Sequence, residues 1–290
     1  VTDRVELKAP CKVNLLLRVL AREESGFHQL ETIFALTTLH DTLVASRREA
    51  TGVSIEVHGA DVGPHKDNLA LRAAELVLTA TGHPFGVHLE LTKAVPAGAG
   101  LGGGSSNAAS ALHATNQLAN NAIPPHELLQ LAARLGSDVP FFLSGAPLAL
   151  AWGRGDRLLR LPALPPAPGL LLHPAAPVAT AEAYSWLVTA REHAPRRGAL
   201  ALDLQALASW GDLARMSGND FESAVFGQRP DLRQAFEALA GTRPMLCRLS
   251  GTGASLIALY RTAGQRDDAA MMLGPNHGSW SSVEVGTASD

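Results

Sequence analysis

From residue 5 to residue 57 the chain alternates apolar and polar positions with the two-residue period of half-buried strands. Short aliphatic or β-branched runs at 5–7, 13–19, 32–36, 43–45 and 53–57, parted by turn residues, predict a series of short strands. The period then turns helical. Leu69, Ala73, Leu76 and Val77 form an apolar stripe, Asp67 stands where a cap belongs, and Gly82 marks the stop. A strand over 87–91 leads into Val95-Pro96-Ala97-Gly98-Ala99-Gly100-Leu101-Gly102-Gly103-Gly104-Ser105-Ser106-Asn107, and an alanine-rich helix over 108–118 follows. Pro124-Pro125-His126-Glu127 opens another helix that reaches Leu135 and stops at Gly136, after which Ser137-Asp138-Val139-Pro140 reads as a tight loop.

Residues 161–169 contain Pro162, Pro165, Pro166 and Pro168, the sharpest break in composition, and this places a domain boundary there. The expected domains are 1-163 and 164-290. Beyond the break the pattern predicts strands over 170–173, 245–249, 255–259 and 283–285, with helices over 181–189, 231–240 and 265–273. Strands and helices are mixed in both halves, which argues for the α+β class over a regular βαβ wind. A chain of 290 residues suits two such domains.

Composition narrows the partners. A net charge of −3 offers no basic field for nucleic acid or an anionic membrane. No apolar run approaches the ~18 residues of a membrane span, and the first residues lack a signal-peptide layout. Cys11 and Cys247 have no metal-ligand spacing, so no metal site of the protein's own is expected. These features predict a cytoplasmic protein in a reducing setting; a monomer or weak homodimer is the expected assembly, though no pattern in the chain fixes it. Only Lys8, Lys12, Lys66 and Lys93 of the 24 cationic residues are lysines, so each is a candidate for a specific role.

The glycine-rich stretch is the strongest chemical signal. Gly98, Gly100, Gly102, Gly103 and Gly104 lie between a strand and a helix, where bare backbone amides and the positive helix end make an anion site. Ser105 and Ser106 add hydroxyls for phosphate oxygens or a phosphate-bound magnesium. The stretch lacks the Gly-Lys-Ser/Thr of a Walker loop. It does satisfy GxGxxG, but residues 118–126 hold no acid at the end of a second strand, as dinucleotide binding requires.

The motif PxGxGLGGGSSNAA resembles the phosphate loop of the GHMP kinase superfamily. Ala9-Pro10-Cys11-Lys12-Val13-Asn14-Leu15 is similar to that family's N-terminal substrate motif, and Leu249-Ser250-Gly251-Thr252-Gly253-Ala254 to its C-terminal glycine motif. Gly26-Phe27-His28-Gln29-Leu30-Glu31-Thr32, Asp67-Asn68-Leu69, Gly136-Ser137-Asp138-Val139-Pro140-Phe141-Phe142 and Ser217-Gly218-Asn219-Asp220-Phe221-Glu222 are similar to blocks in members whose alcohol substrate carries cytidine diphosphate. Departures from the usual pattern are Cys11 for alanine, Ala99 for glycine, Phe27 for tyrosine and Ser137 for alanine.

The resemblance implies a domain like ribosomal protein S5 domain 2 followed by a ferredoxin-like domain, with the active site between them. It implies ATP as phosphoryl donor, magnesium arriving with the nucleotide, and phosphorylation of the 2-hydroxyl of a small isoprenoid precursor bearing cytidine diphosphate. Lys12 and Asp138 then carry catalysis, Asp138 as general base and Lys12 as the charge that keeps it ionised. Pattern alone leaves Asp138 equally an ordinary turn carboxylate. Asn14 shares a strand face with Lys12 and so the substrate side. By resemblance Phe27 and His28 read the cytosine, and Tyr184 is the candidate for its second face, with helix packing as the alternative. Pro96, Ala97, Gly98, Ala99, Gly100, Leu101, Gly102, Gly103, Gly104, Ser105 and Ser106 would hold phosphate, while Asn68 would contact adenine or merely cap its helix. Cys11 is a packed side chain in preference to a thiolate. Rival readings are a homoserine- or mevalonate-type kinase, a dinucleotide-dependent oxidoreductase, and an inactive binding protein on the same fold.

Overall fold

The computed structural model describes residues 2–59, 67–174, 176–192, 202–205, 207–274 and 280–288. Its first half is built on one long antiparallel pair, β1 (Arg4–Arg22) and β2 (His28–Arg48). Four of the short strands expected from sequence are segments of these two. The register slips between Pro10 and Lys12, Asn14 and Leu16, and Val19 and Ala21. Such bulges let a strand carry Pro10, which has no ladder N–H, and they interrupt the strict alternation that sequence reading relies on.

β3 (Gly52–His58), α1 (Leu69–Ala80), β4 (Gly86–Thr92), α2 (Gly103–Leu118), α3 (Pro125–Leu135), α4 (Val139–Ser144), β5 (Leu148–Gly153) and β6 (Arg157–Arg160) complete this half. The sheet runs β3-β4-β2-β1, with β5 paired to another stretch of β2 and β6 to β5. α1 turns Ala70, Ala73, Ala74, Val77 and Leu78 into the core. Its cap is Asn68, whose Oδ1 accepts from Ala70 N at 2.9 Å, and not Asp67 as the sequence suggested. α2 starts at Gly103, five residues before the alanine run, because tertiary packing overrides glycine's poor helix propensity. α4, absent from the sequence reading, presses Phe141 onto Phe34 of β2 with ring centroids 4.9 Å apart.

The proline-rich stretch is where the chain crosses to a second sheet. β7 (Pro168–Pro174), α5 (Thr180–Glu192), α6 (Trp210–Met216), β8 (Gly218–Asn219), α7 (Phe221–Gln228), α8 (Pro230–Gly241), β9 (Leu246–Leu249), β10 (Leu256–Leu259), α9 (Ala263–Leu273) and β11 (Trp280–Gly286) follow. β8 returns to the first sheet and pairs in parallel with Leu16 and Leu17 of β1. The other four strands form an antiparallel sheet in the order β11-β7-β10-β9, the ferredoxin-like arrangement that the resemblance implied. One apolar cluster joins the two sheets, setting Cys11, Val13 and Leu15 of β1 with Leu171, Ile257 and Val285. The first sheet is mainly antiparallel, so GxGxxG does not sit in a parallel dinucleotide-binding wind.

Asp41 on β2 is wholly buried, and its carboxylate accepts from Ala94 N (2.7 Å), Val95 N (2.8 Å), Asn107 Nδ2 (2.8 Å) and the Lys93 ammonium. These bonds lock the segment entering the glycine loop to both β2 and α2. Asp41→Ala leaves a buried ammonium and two backbone donors without their acceptor, so urea unfolding will show a loss of about 3–5 kcal/mol. A loss below ~1 kcal/mol, the scale of an ordinary surface change, would contradict this account.

Candidate active site

Three adjoining cavities share walls, two of them lined by both halves and one by the first half alone. The middle one, about 320 Å³, is lined by Lys12, Asn14, Thr32 and Asp138, with Thr180, Tyr184 and Thr252 contributed from the second half. Lys12 and Asn14 lie two apart on β1 and therefore on one face, as the alternation predicted. Lys12 Nζ donates to Asn14 Oδ1 at 2.7 Å and to Gly100 O at 3.0 Å, and Asp138 Oδ2 is 3.8 Å away. Thr32 Oγ1 donates to Leu16 O and accepts from Asn14 Nδ2, which leaves Asn14 Oδ1 facing the ammonium.

The Lys12 side chain is only 5% exposed, against 29% for Asp138. Burial holds the ammonium's pKa below the ordinary lysine value, and the Asp138 carboxylate works in the opposite direction. Asp138 itself sits at the N-cap position of α4, two residues after Gly136 ends α3. Its neighbour Ser137 is exposed on the wall shared with the next cavity.

On one side lies a cavity of about 360 Å³ walled by Asn68, Lys93 and the loop from Pro96 to Ser105. Gly98, Gly100 and Gly102 all have positive φ. At Gly100 an added Cβ would stand 2.4 Å from Ser250 O, so the close approach itself requires glycine. Gly102 caps α2 without a side chain, and the first intrahelical bond runs from Ser106 N to Gly102 O. The amides of Gly103, Gly104 and Ser105 therefore precede the helical ladder, at its positive end. Ser106 is the one expected phosphate residue off the cavity wall. It is 1% exposed, and its Oγ has no partner among the described residues.

On the other side is a cavity of about 950 Å³ that brings together Phe27, His28 and Tyr184 with Arg22, Arg134 and Arg154. His28 stacks on Tyr184 at 4.4 Å between centroids, and Phe221 meets Tyr184 edge-on at 4.9 Å. Phe27 is 57% exposed. Burial, reinforced by Arg22 and Arg191, lowers the His28 pKa, so at neutral pH the ring carries one donor and one acceptor. Cys11 is buried against Thr37, its thiol pushed up to about 11, and it is no thiolate.

Two supporting groups escaped the sequence reading. One is the Asp41–Lys93–Asn107 network, for which the scarcity of lysines was the only signal. The other lies in the block from Ser217 to Glu222. Asn219 Nδ2 donates to Leu249 O (2.8 Å) and Gly251 O (2.7 Å), fixing the second glycine turn. Buried Asp220 accepts from Val19 N at 2.9 Å and pairs with Arg191 of the helix that carries Tyr184.

Residues 68–146 match the family model described as GHMP kinases N terminal domain. The chain is 38% identical over 257 residues to the 4-diphosphocytidyl-2-C-methyl-D-erythritol kinase of Pelotomaculum thermopropionicum, covering 87% of each chain. The chain belongs to the 4-diphosphocytidyl-2-C-methyl-D-erythritol kinase family. A crystal structure titled as 4-(cytidine 5'-diphospho)-2C-methyl-D-erythritol kinase agrees, with TM-score 0.81 and 35% identity over 98% of this chain and 100% of that one. A homoserine kinase from Cytophaga hutchinsonii, at 20% identity and TM-score 0.69 over 99% of this chain and 95% of that one, shares the fold alone. Gly100 and Gly102 of the glycine loop, Lys12 and Asp138 meet around one cavity in this member.

With only four lysines, a lysine-labelled NMR titration can follow Lys12 individually. Its pKa will fall below the usual 10.5, and Asp138→Asn will lower it further by removing the nearby negative charge. As pH rises through that depressed value the ammonium is lost. Titration at or above 10.5 would overturn the reading of a desolvated cation.

Proposed function

We propose that the chain transfers the γ-phosphoryl group of ATP to the 2-hydroxyl of 4-diphosphocytidyl-2-C-methyl-D-erythritol. One observation carries this reading: the Lys12–Asp138 pair lies between a glycine-built anion cradle and a cavity lined by aromatic rings and the His28 imidazole. The triphosphate lies on the amides of Gly103, Gly104 and Ser105, with adenine toward Asn68. The cytidine enters the larger cavity. A base stacking on Tyr184 takes the place of the His28 ring, whose nitrogens then meet the base edge while Phe27 covers the other face. A homoserine- or mevalonate-type acceptor has no use for that cavity.

In the reaction the acceptor oxygen attacks the γ-phosphorus, its proton passes to Asp138, and the bond from the γ-phosphorus to the oxygen retained by ADP breaks. Lys12 orients the hydroxyl and offsets charge on the transferring group. Among the described residues no three His, Cys, Asp or Glu gather to hold a metal alone. The Ser105 hydroxyl and the Asp138 carboxylate are hard oxygen donors that fit a magnesium ion already carried by the phosphates. When bound, that ion neutralises phosphate charge.

ADP release from magnesium-ATP will depend on this substrate, CDP will compete with it, and Asp138→Asn will cut turnover by about 10²-fold or more. Absence of release from folded, ATP-binding protein would overturn the substrate assignment. Unchanged turnover in Asp138→Asn would overturn the role of the base.

A further inference from the structure

Phe27 has little apolar packing to hold it. It lies outside the clusters that make up the core, at the end of the β1–β2 loop, with more than half its surface exposed. The loop is closed by Glu23 N to Phe27 O (2.8 Å) and Gly26 N to Glu23 O (2.9 Å), with Gly26 at φ +87°. Those bonds set the backbone but leave the ring free to rotate. A flat aromatic surface can greet a base only if something fixes its plane.

Arg154 touches the loop at three points. It stands in the turn between β5 and β6, where its backbone N–H donates to Asp156 Oδ1 at 3.1 Å. Its Nη2 and Nε donate to Glu23 Oε2 at 2.5 and 3.1 Å, and Nη2 also reaches Ser25 Oγ at 3.2 Å. Ser25 Oγ in turn donates to the same Glu23 oxygen at 2.9 Å. The guanidinium carbon is 4.3 Å from the centre of the Phe27 ring. A planar, delocalised cation can hydrogen-bond at its edges while its face lies on an aromatic ring, which a lysine ammonium cannot do. β5 is itself paired to β2 just beyond the loop, with Gly153 opposite Leu30, so the clamp is mounted on the sheet that carries His28.

We propose that Arg154 is a positioning residue for base recognition: it fixes the 23–27 loop and the plane of Phe27 against which the cytosine stacks. This rests on the reading of the larger cavity as the cytidine site. Each exposed contact is weak alone, and their joint effect is to order the loop before the substrate arrives.

The test measures inhibition constants of cytidine, CMP and CDP for the wild type, Arg154→Ala, Arg154→Lys, Phe27→Ala and the double variant. Arg154→Ala will weaken all three compounds by the same roughly three- to fivefold factor, with kcat and the KM for ATP changed less than about twofold. That unchanged ATP KM also reports correct folding. Arg154→Lys will fail to restore affinity, and in the Phe27→Ala background Arg154→Ala will add little. A loss that grows from cytidine to CDP would make Arg154 a direct phosphate contact and overturn the proposal. Full rescue by lysine, or simple additivity with Phe27→Ala, would overturn it too. A wild type inhibited by none of the three would sink the cytidine site itself. A wild type inhibited as strongly as Arg154→Ala would leave that site standing and sink only the clamp.

Discussion

A lysine ammonium buried at the centre of the molecule sets the terms for everything around it. Removing such a charge from water is costly unless oxygen atoms are held close in its place. Lys12 receives them from three separate elements: Asn14 of its own strand, the Gly100 carbonyl of the glycine loop, and the Asp138 carboxylate at the start of α4. The Gly100 carbonyl also accepts from Ser250 Oγ at 3.1 Å, so the glycine turn of the second half grips the same atom. Asn219 holds that turn in shape. This buried cation is therefore also the point at which strand, glycine loop and second sheet are aligned.

β1 spreads this alignment along the molecule. Lys12 and Asn14 face the site, while Cys11, Val13 and Leu15 of the same strand pack into the cluster shared with the second sheet. Further on, the strand pairs with β8 and gives its Val19 amide to Asp220, which also holds Arg191 of α5. Through that chain of contacts the position of Tyr184 in the larger cavity is tied to the strand that bears Lys12.

Much of this was legible in the residues, and the losses have identifiable causes. The strand runs of β1 and β2 were visible, but their continuity was hidden by bulges near Pro10, Leu16 and Val19. The glycine loop before a helix was visible, while the helix start was placed late because Gly103, Gly104, Ser105 and Ser106 are weak helix formers ordered by packing. Asp67 and Asn68 are both good caps by composition, and only the backbone shows which one reaches the Ala70 amide. α4, α6, β5 and β6 are too short to establish a period. Asp41 and Lys93 lie 52 positions apart, and no local pattern pairs them. Phe27, His28 and Tyr184 were named as one group through family likeness. The stacking of His28 on Tyr184 and the contact of Arg154 with Phe27 are products of the fold.

The glycine loop presents amides to its cavity where many anion sites present side chains, and this shapes how the proposed phosphate site can change under selection. An inhibitor anchored on an arginine or a serine can be evaded by replacing that residue. The amides of Gly103, Gly104 and Ser105 survive almost any substitution, and the loop feeding them tolerates few. A carbon added at Gly100 would collide with the Ser250 carbonyl, and one at Gly102 would come within 2.9 Å of the Phe142 ring. A compound that engages only these backbone donors leaves the chain little room for a resistant variant that still folds around its own lysine.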